Sequence, residues 1–141
     1  MAEIIKFAET DDEIRACFPV MRELRPNLQE ESFLSQIDHL HSHYGFLLAY
    51  LAHEEVMSVA GLRIAEWLHQ GRYLEIEDLV VRAGSRSQGH GGRLFDWIVD
   101  YARSQNCNHL RLVSALTRES AHRFYERKGM QRFAYYFTLD L

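Results

Sequence analysis

Apolar positions along the chain switch repeatedly between two periods. Residues 3–8 alternate as a short strand. Thr10 and Glu13 then stand at capping-box spacing, each side chain placed to accept the other's backbone N–H. Ile14, Phe18 and Met21 follow at helical spacing, and Pro19 inside that run predicts a kink or break, because it lacks an N–H and its ring crowds the preceding turn. A second helix start at Asn27 and Glu30 carries Phe33, Leu34, Ile37 and Leu40 on one face. Residues 45–52 and 56–65 read as two strands joined into a hairpin at His53-Glu54-Glu55, and His69-Gln70-Gly71 turns the chain into a strand over 72–82. The next helix, at about 90–104, has a polar stripe of Arg93, Asp96, Asp100 and Arg103 opposite Leu94, Ile98, Tyr101 and Ala102. Residues 109–115 read as a strand, Thr117 as the cap of a helix running to Lys128, and Gly129 as its C′ residue. Met130 to Leu141 read as a final strand or a bent pair.

The order β-α-α-β-β-β-α-β-α-β puts an antiparallel half first. A strand–helix–strand crossover then makes strands 72–82 and 109–115 parallel neighbours. With 141 residues, 47% hydrophobic and 26% charged, one soluble globular domain is expected over 1–141. No apolar run approaches the roughly 20 residues that span a bilayer. The opening residues have no basic segment followed by an apolar core, so a cytoplasmic protein is expected. A net charge of −4 and the lack of a Lys/Arg block argue against a nucleic-acid partner. Cys17 and Cys107 lack Cys-x-x-Cys spacing and read as buried thiols. His39 and His43 share a helix face, but a helical metal motif needs a nearby Glu and a third ligand, so no metal is expected.

Candidate chemistry concentrates in Arg86-Ser87-Gln88-Gly89-His90-Gly91-Gly92, between a predicted strand and a predicted helix start. Glycines let backbone N–H groups approach an anion closely. The first turn of a helix has unpartnered N–H groups, and its dipole favours negative charge there. Arg86 adds a fixed cation that can reach a pyrophosphate. The loop lacks the Gly-Lys-Ser/Thr ending of a nucleoside-triphosphate loop, which weighs against a nucleotide.

With the apolar strand before it, Asp78-Leu79-Val80-Val81, this loop resembles the Arg/Gln-x-x-Gly-x-Gly/Ala motif of the GNAT superfamily of acetyl-CoA-dependent N-acetyltransferases. A second motif of that family, Ala-x-x-Phe/Leu-Tyr-x-x-x-Gly-Phe, is matched by Ala121 to Met130, and Val59-Ala60-Gly61 is a weaker third match. The chain departs from the family at Arg118, where Asn is usual, and at Met130, where Phe is usual. The resemblance implies a mixed α/β (α+β), largely antiparallel sheet of 6–7 strands with a central parallel pair, flanked by about four helices. It also implies a V-shaped gap in which the pantetheine arm of acetyl-CoA bonds backbone near Val80 and Val81. The N–H groups of residues 87–92 would hold the pyrophosphate, and Arg118 stands where Asn would bond the arm.

Amine acetylation requires loss of a proton from an ammonium with a pKa of about 10, donors for the oxyanion, and a hydrogen bond or proton for the leaving thiolate. Strand 72–82 offers Glu75, Glu77 and Asp78 as bases. By alternation Glu75, Glu77, Leu79 and Val81 share one face and Asp78 points the other way, unless a bulge intervenes. These acids can equally be solvated or arginine-paired. By resemblance the Val81 N–H serves the oxyanion and Tyr125 the thiolate, although Ala121, Phe124 and Tyr125 also fit a plain core-facing stripe. Trp67 and Tyr44 stand near loop ends where an acceptor can sit. The activity implied is acetyl transfer, by direct attack in a ternary complex, to the primary amine of a small molecule or peptide. The alternative is a non-catalytic acyl-CoA-binding sensor. An exposed terminal strand can pair between chains, giving a homodimer.

Overall fold

The computed structural model describes residues 2–141, which group into two compact units, Met1–Arg111 and Leu112–Leu141. The first begins with β1 (Ile4–Phe7), then α1 (Asp11–Leu24) and α2 (Glu30–Tyr44). The reciprocal capping box at Thr10 and Glu13 forms. Glu13 also accepts from Lys6 Nζ at 2.5 Å. That bond, with the N–H groups of Thr10 and Glu9, lowers the carboxyl pKa to about 2. Helix α1 runs through Pro19 without a break. Pro19 lies on the exposed side, where water can serve the carbonyl it leaves free, while buried Cys17, Phe18, Val20 and Met21 hold the turns around it. Burial pushes the Cys17 thiol up to about 12. Helix α2 is capped by Gln29 with no side-chain bond, so Asn27 is not its cap.

A long antiparallel meander follows: β2 (Leu47–His53), β3 (Glu55–Trp67) and β4 (Gly71–Val81). Helix α3 (His90–Ser104) then leads to β5 (His109–Leu112), which lies beside β4 and makes the parallel pair. The sheet has five strands in the order β1-β2-β3-β4-β5 among the described residues. The expected six or seven are not reached, because residues 130–141 form no strand. Their aromatic, β-prone composition is not enough, since a strand exists only through its ladder of hydrogen bonds.

Helices cover both faces of the sheet. On one, Val59 and Val80 pack with Phe18, Met21, Phe33 and Ile37 of α1 and α2. On the other, the Ser58 hydroxyl donates to the His90 carbonyl at the start of α3, and Val81 lies under Gly91. In the second unit, α4 (Glu119–Arg127) starts from Arg118, which makes no side-chain cap bond, so the Thr117 cap is not formed. Gly129 does end it. At φ +94° it donates to Glu126 O, and Met130 donates to Tyr125 O, a Schellman pattern.

Candidate active site

The site is organised by one extra residue. β3 pairs Gly61 with Asp78 and Leu62 with Ile76, so Glu77 is a bulge. Above it, Val81 and Leu79 share the α3 face with Ser58 and Ala60. Below it, Ile76 and Leu74 share that face with Leu62 and Ile64. The opposite face, toward α1 and α2, therefore receives Val80, Asp78 and Glu75 together. This corrects the simple alternation: Glu75 and Asp78 are on one side, and Leu79 and Val81 are on the other.

Each acid on that face meets a guanidinium. Arg25, the residue that ends α1, donates from Nε to Asp78 at 2.8 Å and from a terminal nitrogen to the Glu77 carbonyl at 3.0 Å. Arg63 donates to Glu77 at 3.2 Å, and its guanidinium lies 5.6 Å from the Tyr44 ring centroid. Arg111 donates from Nε to Glu75 at 2.8 Å. Gly61 makes the arrangement possible, because a Cβ there would fall on the Asp78 carboxylate and 2.6 Å from Phe46 Cζ. None of the three arginines was singled out in the sequence. Arg63 was findable, since alternation from Gly61 places it on the same face, whereas Arg25 and Arg111 are brought in by tertiary structure.

Toward its carboxyl end β4 has an open side. Arg82 donates its N–H to Met57 O, so by alternation the N–H and C=O of Val81 point away from β3. Asn108 donates to Arg72 O, which sets the start of β5 beside the start of β4. A four-residue strand can accompany only part of the eleven-residue β4. The Val81 carbonyl takes Arg86 Nε at 3.3 Å.

The loop after β4 turns through left-handed conformations at Gly84, Ser87 and Gly89 (φ +83°, +71° and +82°). Gly89 is the N-cap of α3 and offers no side-chain cap. Among the described residues no acceptor takes the N–H groups of Ser87, Gln88, Gly89, His90 or Gly91. A Cβ on Gly91 would stand 3.0 Å from Val81, so the helix start is pressed close to β4. Gly92 follows in the first turn. Arg86 folds back toward Glu23 of α1, 3.5 Å away, and that carboxylate also accepts the Ala83 N–H. The His90 ring is buried beside His53, so only its backbone can serve a ligand. An open cleft lined by His53, Glu54, Glu55, Met57, Gln88 and His90 runs along this loop.

Tyr125 and Arg118 belong to the second unit, on α4 and at its start. Burial raises the Tyr125 phenol above its usual value, and the Arg118 charge opposes that. His39 and His43 stack on one another, His43 also bonds the His39 carbonyl, and His41 bonds the Phe46 carbonyl. Among the described residues no three His, Cys, Asp or Glu side chains converge as metal ligands would, and no helix is long and apolar enough to cross a membrane.

Comparison with known proteins agrees with this architecture. Residues 7–130 match the model of the acetyltransferase (GNAT) family. The chain is 32% identical over 125 residues to the uncharacterized N-acetyltransferase YhdJ of Bacillus subtilis, covering 88% of each. It is 33% identical over 92 residues to the aminoalkylphosphonate N-acetyltransferase of Salmonella typhimurium, covering 64% of this chain and 60% of the relative. Among solved structures, a GNAT family acetyltransferase of Staphylococcus aureus superposes with a TM-score of 0.84 at 19% identity over all of both chains. The sheet, the loop at the start of α3 and the match over residues 7–130 lead to one assignment: the chain belongs to the GNAT family of acetyltransferases.

Proposed function

We propose that the protein transfers the acetyl group of acetyl-CoA to the primary amine of a small molecule or peptide, by direct attack in a ternary complex. The observation that carries this reading is the run of unclaimed N–H groups from Ser87 to Gly91 at the start of α3, next to the end of β4, where the Val81 N–H points away from β3. The loop groups, with Gly92 in the same turn, suit a pyrophosphate. Arg86 supplies a cation on leaving Glu23. The arm runs along Val80 and Val81, and Arg118, standing where the family has Asn, is assigned to bond it.

The amine nitrogen forms its bond to the thioester carbonyl carbon while the carbonyl oxygen gathers charge under the Val81 N–H. Before that attack, Glu77 takes the ammonium proton through water and so frees the nitrogen lone pair. Of the two glutamates it is nearer to Val81 along the strand, by about 7 Å of rise. Asp78, beside Glu77, adds its charge on the amine's approach, while Glu75 stays committed to Arg111. The C–S bond then breaks, the extra proton on the nitrogen passes to the departing thiolate, and Tyr125 hydrogen-bonds that sulfur. The Salmonella relative's name points to amines that also carry an anion.

Release of free thiol from acetyl-CoA, measured across a panel of amines, tests the reading. Turnover dependent on an amine supports it. Tight acetyl-CoA binding with no turnover on any amine would replace it with the sensor reading.

A further inference from the structure

The Arg111 guanidinium is held more firmly than its one ion pair requires. Its carbon lies 4.5 Å from the Trp67 ring centroid and 4.2 Å from that of Tyr73. Its Nε is fixed on Glu75, while its two terminal nitrogens donate to no described residue. The side chain is about one-third exposed, so that free edge is open to a ligand. A guanidinium fixed through its Nε and held against two neighbouring rings keeps its fork aligned before anything binds, and the matching partner for such a fork is a carboxylate or phosphonate. His109 stacks on Tyr73 beside it with a buried Nε2 that has no hydrogen-bond partner, a second unused polar atom in the same cluster.

We infer that Arg111, held against Trp67 and Tyr73, receives an anionic group carried by the acceptor amine and so selects that amine. The inference rests on the acetyl-transfer reading and adds the acceptor class to it. Glu75, which anchors Arg111, lies three residues before Asp78 on the same face. That places the fork up to roughly 10 Å along the strand from where the amine is drawn in. The acceptor is therefore an extended amine with its oxyanion several bonds away, and not one whose two charges are adjacent.

The test compares 6-aminohexanoate and 5-aminopentylphosphonate with hexylamine and glycine as acceptors, in the full chain with acetyl-CoA. The two extended anionic amines should show KM values about 10- to 100-fold below that of hexylamine, the range of a charge-assisted hydrogen bond. The lower of the two tells carboxylate from phosphonate. Glycine should gain nothing over hexylamine. Arg111→Gln should raise KM for the two anionic amines about 10- to 100-fold relative to KM for hexylamine while leaving the Kd for acetyl-CoA unchanged, and Arg111→Lys should restore part of the preference. Hexanoate should inhibit the wild-type protein competitively with the amine, which reads the same fork without any substitution. Equal KM values for hexylamine and 6-aminohexanoate, or an Arg111→Gln effect equal on both, would overturn the inference and leave acetyl transfer standing. If no amine is acetylated, the activity reading fails by itself. Calorimetric titration of 6-aminohexanoate against wild type and Arg111→Gln then still decides the fork, which is wrong if the two bind alike.

Discussion

Gly61→Ala is a one-carbon change whose cost can be worked from the contacts around it. Gly61 is not in a left-handed conformation, so the methyl adds no backbone strain, only volume. That methyl would stand 2.6 Å from Phe46 Cζ, about 1 Å inside an ordinary carbon contact. Phe46 is 4% exposed and packed among α1 and α2, so its ring has little room to retreat. Overpacking of this kind costs about 1–3 kcal/mol. The methyl also displaces the Asp78 carboxylate from Arg25; because Arg25 is half-exposed, that pair adds no more than about 1 kcal/mol. A total of about 1–4 kcal/mol is a large share of the stability of a small protein and lowers Tm by roughly 4–15 °C. Thermal and urea unfolding measure it. The companion Phe46→Leu should cost stability in the wild-type background yet recover part of the loss in Gly61→Ala, with a coupling of about 1 kcal/mol. A Gly61→Ala protein melting within about 2 °C of wild type, or strictly additive substitutions, would show that the bulge does not depend on a bare α-carbon opposite Asp78.

Gly89→Val forces a branched side chain into φ +82° and against Arg93, so acetyl-CoA affinity should fall at least about tenfold with a stability loss of about 1–2 kcal/mol; unchanged affinity by calorimetry would remove the loop from the pyrophosphate site. Tyr125→Phe should lower kcat with little change in acetyl-CoA binding, and a kcat within about twofold of wild type would dismiss its role at the thiolate. The Glu13 carboxyl is depressed from 4.5 to about 2 in the folded state, so its stabilisation is complete above about 4.5 and is lost as pH falls toward 2. The Tm gap between wild type and Glu13→Gln should therefore narrow from pH 6 to pH 3, and a gap that stays constant would contradict the Lys6–Glu13 assignment.

Local chemistry was readable where it is local. The Thr10–Glu13 box, the glycine that ends α4 and the polar stripe of α3 are encoded within a few residues, and they form as expected. The loop at 86–92 was legible for the same reason, because a helix start and its glycines are neighbours in sequence. The acid face of β4 was not. A bulge shifts the phase of every later residue and has no composition of its own. The acids' partners are equally silent in sequence, with Arg111 standing 36 residues from Glu75 and Arg25 standing 53 from Asp78. The C-terminal segment misled in the opposite direction. Its aromatic run reads as a strand, yet Tyr135-Tyr136-Phe137 is not an alternation, and only pairing could have made it one.

The bulge at Glu77 makes β4 a strand written in two frames. Before it, even-numbered Leu74 and Ile76 are turned to the α3 side; after it, even-numbered Val80 is buried on the side of α1 and α2. Deleting one residue between Ile76 and Asp78 would fuse the frames. Neither half would have to roll over: Glu75 would stay on the side of α1 and α2, Val81 would stay on the seat of Gly91, and only the Glu77 side chain would be lost. Glu77 is thus a one-residue insert in an otherwise regular ladder: among homologous chains a residue lost here should be tolerated far more readily than one lost elsewhere in β4, where one half of the strand would turn over.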